Sequence, residues 1–219
     1  MSETAERATN TRESLIATAA TLFAEQGITG VSLREILRAS GVRNTTALQY
    51  HFGDRAGLLR AILDKHNSAV EVARHTLMDA YEAGGNADIR ALVAALVRPL
   101  SAKLDGADGG REYLQILGEL ANHPRPELPT DDLESNDSLL RWRSLIGPLL
   151  EPEAVRMHRR FVAIRFTFIE LGRRAQSGPH TDDRLFISHL IDLVVAVLVA
   201  PLSPETLRLE TERNALQDN

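Results

Sequence analysis

The sequence predicts an all-α fold. Apolar residues recur at three- and four-residue spacing along nearly every segment, and no run alternates strictly as a half-buried strand would. Glycines stand where those periodic runs stop.

Leu15, Ala19, Leu22 and Phe23 fall at i, i+4, i+7 and i+8, one face of a helix that stops at Gly27. Ser32-Leu-Arg-Glu35 reads as a capping box. It opens a short helix with Leu33, Ile36 and Leu37 inward, ending at Gly41. The stretch GVRNTTALQYHF, residues 41–52, forms another short helix. Asp54 caps a long one carrying Leu58, Leu59, Ile62, Val70, Val72, Leu77 and Met78 to Gly84-Gly85, about 45 Å if unbroken. Helices follow over 89–104, with Pro99 marking a kink or break, and over 111–122. The Pro- and acid-rich stretch 123–138 reads as a loop, either a lid or a mobile connector. Further helices are expected at 139–150, 152–176, 181–200 and 204–217.

The chain has 219 residues, 43 % hydrophobic and 25 % charged, enough for one large domain or a small domain joined to a larger one. It contains no Cys, which removes disulfides and thiolate metal sites and suits a reducing cytoplasm. The polar start MSETAERATNTRES does not read as a signal peptide. The most apolar run, 185–201, is interrupted by His189 and Asp192 and falls short of the ~20 residues a membrane span needs. No membrane association is expected. Residues 1–60 hold seven Arg against six acids, a net of +1, so the rest carries −6 of the chain's −5. A weakly basic head on an acidic body still permits nucleic-acid binding by the head.

Residues 32–52 place a short helix, a Gly-centred turn and a second short helix in succession, the helix-turn-helix arrangement. Arg43, Asn44, Thr45 and Thr46 stand at the start of the second helix, with Gln49 one turn on. Asn and Gln pair with adenine, Arg with guanine, and a Thr methyl meets the thymine methyl. Val42, Leu48 and Phe52 would hold this helix on its neighbours. Taken alone, the same pattern also fits a solvated amphipathic helix.

Residues 11–60 resemble the N-terminal domain of the TetR family of transcriptional regulators. The resemblance is carried by TRESLIATAATLFAEQGITGVSLREILRASGV and then YHFGDRAGLLRAIL. Two features depart from the common pattern. The segment between Gly41-Val42 and Leu48 is one residue longer, and Gln49 stands where the family usually has Tyr. The body, 61–219, matches only in layout.

The resemblance implies a bacterial cytoplasmic homodimeric repressor that reads a near-palindromic operator in double-stranded DNA and is released by an unknown small-molecule effector. It also implies a DNA-binding domain over 1–53, with a disordered arm about 1–9, and an effector-binding and dimerisation domain over 54–219. Candidate DNA contacts are Thr11, Ser32, Arg34, Arg43, Asn44, Thr45, Thr46, Gln49, Tyr50 and Arg55. His51 fits either a phosphate contact or packing between helices.

Helix 152–176 carries two apolar stripes, one through Ala154, Met157, Phe161, Ile164, Phe168 and Leu171, the other through Val162, Phe166 and Ile169. With Leu190, Ile191, Val194, Val195 and Leu198 on the next helix, residues Phe161, Ile164, Phe168 and Leu171 are the expected dimer interface, with intrachain core as the alternative. Arg165 between two phenylalanines calls for a carboxylate partner or an anionic ligand. His75, Arg98, Tyr113, Glu119 and Trp142 join it as candidate pocket residues.

An enzyme or a protein-interaction module is the competing class. Glu71…His75 and Glu119…His123 are spaced by four, where a carboxylate-bridged metal bundle wants three. No glycine-rich phosphate loop, nucleophile elbow or zinc spacing is present, so no catalytic residue, metal or cofactor is expected.

Overall fold

The computed structural model describes residues 2–42, 44, 46–85, 88–106, 108–122 and 137–217. In chain order its helices are α1 (Ser2–Gln26), α2 (Leu33–Ala39), α3 (Ala47–Phe52), α4 (Arg55–Gly84), α5 (Ile89–Ser101), α6 (Gly110–Asn122), α7 (Asp137–Ile146), α8 (Pro152–Arg156), α9 (Arg159–Gln176), α10 (Arg184–Val199) and α11 (Pro204–Gln217). Short 3-10 turns at Ala102–Asp105 and Gly147–Leu149 extend α5 and α7. Among the described residues every regular element is helical.

Residues 1–9, expected as a disordered arm, are helical from Ser2. α1 stops where Gly27 takes φ 81. Its apolar face buries Leu15, Ala19 and Phe23 completely.

α2 and α3 are too short to persist alone and owe their stability to packing against α1 and α4. α4 runs 30 residues from an Asp54 cap, whose Oδ1 accepts from Gly57 N at 2.8 Å. Its inner face buries Leu58, Leu59, Ile62, Val70 and Met78, while Val72 is 65 % exposed. Pro99 does not break α5: it sits near the C-terminal end, and the helix runs on to Ser101.

α6 and α9 form the closest pairing in the body. They cross at Gly118 and Gly172, where a Cβ on Gly172 would stand 2.9 Å from the Leu114 carbonyl oxygen and 3.1 Å from Gly118 Cα. Around them Leu92, Leu96, Leu114, Ile116, Trp142 and Ile146 fill the core, and Trp142 Nε1 donates to Leu92 O at 2.7 Å.

The stretch 152–176 is broken rather than continuous. His158 adopts φ 55 and ψ 28 between α8 and α9. A left-handed residue with a side chain costs about 1–2 kcal/mol, and His is among the types found there most readily. No Gly or Pro marks the break in sequence.

Ile164, Phe168 and Leu171 are buried in the core with Leu190, Ile191, Val194 and Leu198, and Phe161 and Val195 are half-buried. The face read as a dimer interface is therefore the chain's own interior. What α9 and α10 leave outward is Val162, 43 % exposed, with Leu185, Leu193 and Val199 at 83, 39 and 52 %.

Candidate nucleic-acid interface

The reading head is built on a capping box at α2 and a side-chain turn ahead of α3. Ser32 Oγ accepts from Glu35 N at 3.2 Å, and Glu35 Oε2 accepts from Ser32 N at 2.8 Å, the reciprocal box expected from sequence. The hydrogen bond from the Ser32 backbone holds the Glu35 carboxyl below its ordinary range, and the Ser32 hydroxyl adds to it. Ser32, named as a DNA contact, thus spends its hydroxyl on starting α2.

Ahead of α3, Asn44 Oδ1 accepts from Thr46 N at 3.0 Å and from Thr46 Oγ1 at 2.8 Å. Ala47 N donates to Asn44 O at 3.1 Å. This side-chain turn leads into α3. Asn44 and Thr46 precede the helix rather than lie on its face. Arg43 and Thr45 lie outside the described residues.

Ala47 and Leu48 are buried, with Val42 and Phe52 packed against the core, so one face of α3 anchors it. The other face is polar and open: Gln49 is exposed and Tyr50 is 82 % exposed. His51 sits between its neighbours, its ring 5.0 Å from Tyr50 edge-on and 5.9 Å from Phe52. Arg12 lies 5.5 Å over the Phe52 ring. Arg34 is exposed on α2, and Thr11 is half-buried on α1.

Arg55 does something the sequence did not signal. Its guanidinium donates to Ile28 O and, at 2.6 Å, to Val31 O, and lies 5.7 Å over the Phe23 ring. It ties the start of α4 to the loop between α1 and α2 instead of standing free for phosphate. From the body side, Ile28 N donates to Glu119 Oε1 on α6 at 2.9 Å. Two side chains from different elements therefore hold the 27–31 loop. Gly57 completes the joint, since a Cβ there would collide with the Phe52 carbonyl as the chain turns from α3 into α4.

The candidate pocket residues are not gathered into one site. Tyr113 and Trp142 are sealed in the core, and Tyr113 OH donates to Asn67 Oδ1 at 2.9 Å. Burial pushes the Tyr113 hydroxyl well above its ordinary pKa. Arg98 and Arg165 are exposed, so Arg165 is not the buried guanidinium expected between its phenylalanines. His75 lies 3.3 Å from Asp137 and 3.1 Å from Arg141. Glu119 lines a cleft beside the head.

The buried cation is Arg74, which the sequence reading did not single out. Its Nη1 donates to Glu71 Oε1 at 3.1 Å and to Ser138 Oγ at 2.6 Å, and Glu71 Oε2 accepts from Ser138 N at 2.9 Å at the start of α7. Burial lowers the Arg74 pKa, against the opposing pull of Glu71. The i, i+3 spacing of Glu71 and Arg74 was its only local signal. Arg141 on α7 also pairs with Asp79 at 2.6 Å and with Glu82, so α7 clasps the second half of α4. Among the described residues no three His, Asp or Glu side chains gather as a metal site, and no single helix is long and apolar enough to cross a membrane.

A helix-turn-helix with an exposed polar second helix, set at the head of a long helix that enters a helical body, defines a DNA-binding transcriptional regulator. Residues 15–62 match the family described as bacterial regulatory proteins, tetR family. The native NalD structure, from the secondary repressor of the MexAB-OprM multidrug efflux pump in Pseudomonas aeruginosa, is similar at 22 % identity and TM-score 0.55, over 89 % of this chain and 100 % of that one. A putative TetR-family regulator from Rhodococcus sp. aligns at 21 % identity and TM-score 0.45, over 87 % and 99 %. A gamma-butyrolactone receptor (ArpA-like protein) aligns at 20 % identity and TM-score 0.44, over 78 % and 98 %. No curated protein matches the chain.

Proposed function

We propose that the chain is a homodimeric repressor whose two α3 helices read the halves of a near-palindromic operator, and that a small molecule bound in the body releases it. The observation that carries this reading is the seating of α3: one face is anchored by Ala47 and Leu48, and the other offers Gln49 and Tyr50 to solvent directly ahead of the 30-residue α4. The reading head is residues 1–53 and the body 54–219. Gln49, Tyr50, Asn44, Thr46, Arg34 and the undescribed Arg43 and Thr45 are its DNA contacts, with Thr11 at the edge. Arg55 and Ser32 shape the head from within.

The dimer face is assigned to the outward residues of α9 and α10, with Val162, Leu185, Leu193 and Val199 as its apolar core. Large apolar side chains exposed together on two neighbouring helices support burial against a second copy. NalD, a repressor of the same fold, supports the repressor sense. An effector acts only if it binds the DNA-competent and the released arrangements with different affinity.

Selection of bound sequences from random double-stranded DNA tests the reading. The expected product is a near-palindrome with half-sites a helical turn or more apart, about 34–36 Å. Recovery of a single non-repeated half-site would contradict the dimer, and no enrichment would contradict the regulator.

A further inference from the structure

The chain turns at His158 between α8 and α9, and again at 200–203 between α10 and α11, where α11 leaves α10 at 51°. A hollow of about 560 Å³ is lined from both sides of each turn. Its apolar wall is made by Leu149, Leu150, Ala154, Leu198, Val199 and Leu207. That volume and that lining suit a small molecule.

α11 contributes Leu207 to the wall and is loosely held. Over 204–216 Glu210 alone is buried, and its Oε1 accepts from Arg156 Nε at 2.7 Å. Leu207, Leu209 and Leu216 are exposed. A helix with so few buried apolar contacts stands at the low end of local stability, where lids are drawn from.

Charge is present at the rim, but the protein answers it itself. Glu153 Oε1 accepts from Arg156 Nη2 at 2.8 Å, and the same guanidinium holds Glu210. Arg159 Nη1 is turned onto the end of α10, donating to Leu198 O at 3.4 Å and to Ala200 O. Glu151 is exposed to water. A charged ligand would therefore leave its hydration for a wall with no free counter-charge inside it, which is costly. An uncharged apolar ligand leaves water favourably.

We propose that this hollow binds a small uncharged apolar molecule, and that α11 closes over it through Leu207. The inference goes beyond the regulator reading and does not depend on it. The rival occupant is a side chain of a second copy, because Val199 belongs both to the wall and to the outward apolar face of α10.

The test titrates the full-length protein with N-phenylnaphthylamine, whose fluorescence rises in apolar surroundings, and with anilinonaphthalene sulfonate, the same ring skeleton bearing an anion. The neutral probe is expected to bind saturably, one per chain and at least tenfold more tightly than the anion. Leu207→Asp, an exposed change that sets a carboxylate over the hollow, should lose at least tenfold of that affinity. Leu216→Asp, on the same helix but outside the lining, should keep it. No saturable binding, equal binding of both probes, full affinity in Leu207→Asp, or an equal loss in Leu216→Asp overturns the site. Should Leu207→Asp not fold, Leu207→Gln decides, and unchanged affinity overturns it. Saturation with the neutral probe should also slow tryptic cleavage after Arg208 and Arg213 severalfold, since cutting there requires α11 to open. An unchanged cleavage rate overturns the closing of α11. The rival is judged on Val162→Glu with Leu193→Glu, which separates the copies. Equal neutral-probe affinity in that variant supports the site, and binding seen only there assigns the hollow to the second copy and overturns it.

Discussion

Gln49 and Arg55 are six residues apart and have different work. Gln49 is exposed on α3 and free to meet a base edge, whereas Arg55 is bound to two carbonyls of the α1–α2 loop. Gln49→Ala should therefore change preference at particular base pairs, by about 1–3 kcal/mol for a lost bidentate pair, measured against single-base operator variants. Equal loss on every variant would make it a positioning residue. Arg55→Ala should lower stability by about 2 kcal/mol through loss of charged donors to carbonyls, read by urea unfolding, and weaken all DNA sequences alike. His66 makes a third case. It is buried, its ring 4.9 Å from Tyr113, and Nδ1 has no hydrogen-bond partner among the described residues. Burial lowers its pKa, with Lys103 and Lys65 adding and Asp108 and Glu112 opposing. A depressed folded-state value means the unfolded chain takes up the proton first as pH falls through the ordinary histidine value near 6.5. Thermal stability should fall as pH drops below that value, and His66→Gln should flatten the decline.

Much of the element scale was written in local sequence. The Ser32-Glu35 box, the Asp54 cap and the Gly27 stop are short-range chemistry, and each stands where the residues place it. The break at His158 was not legible, because a left-handed histidine carries no Gly or Pro to announce it. Nor was the side that each stripe of α9 faces. Periodicity groups Ile164, Phe168 and Leu171 on one face, but only the packing of α6 across Gly118 decides that this face turns inward. Arg55 and Glu119 were missed as holders of the loop because their partners lie 24 to 27 and 91 residues away. The glycine crossing itself is testable. Gly172→Ala would press a methyl to 2.9 Å from a backbone oxygen, and overpacking of this kind costs about 1–3 kcal/mol. A melting temperature unchanged from wild type would contradict the close crossing.

At the scale of the molecule, a head of three helices sits on a body through α4, the Arg55 tie and the Glu119 bond. Two heads can read one site only if the bodies pair. Val162→Glu with Leu193→Glu should give a monomer by light scattering at micromolar concentration, with the fold retained, since both residues are exposed in the single chain. The central claim is that this chain is a DNA-binding regulator, and the salt dependence of its DNA affinity tests that most directly. With the sequence recovered by selection, the observed association constant should fall linearly on a log–log plot against salt, with a slope near −0.9 per phosphate neutralised and a loss of about 10³ or more between 50 and 200 mM if some six phosphates are held. A constant independent of salt, or no binding at 50 mM, would contradict it.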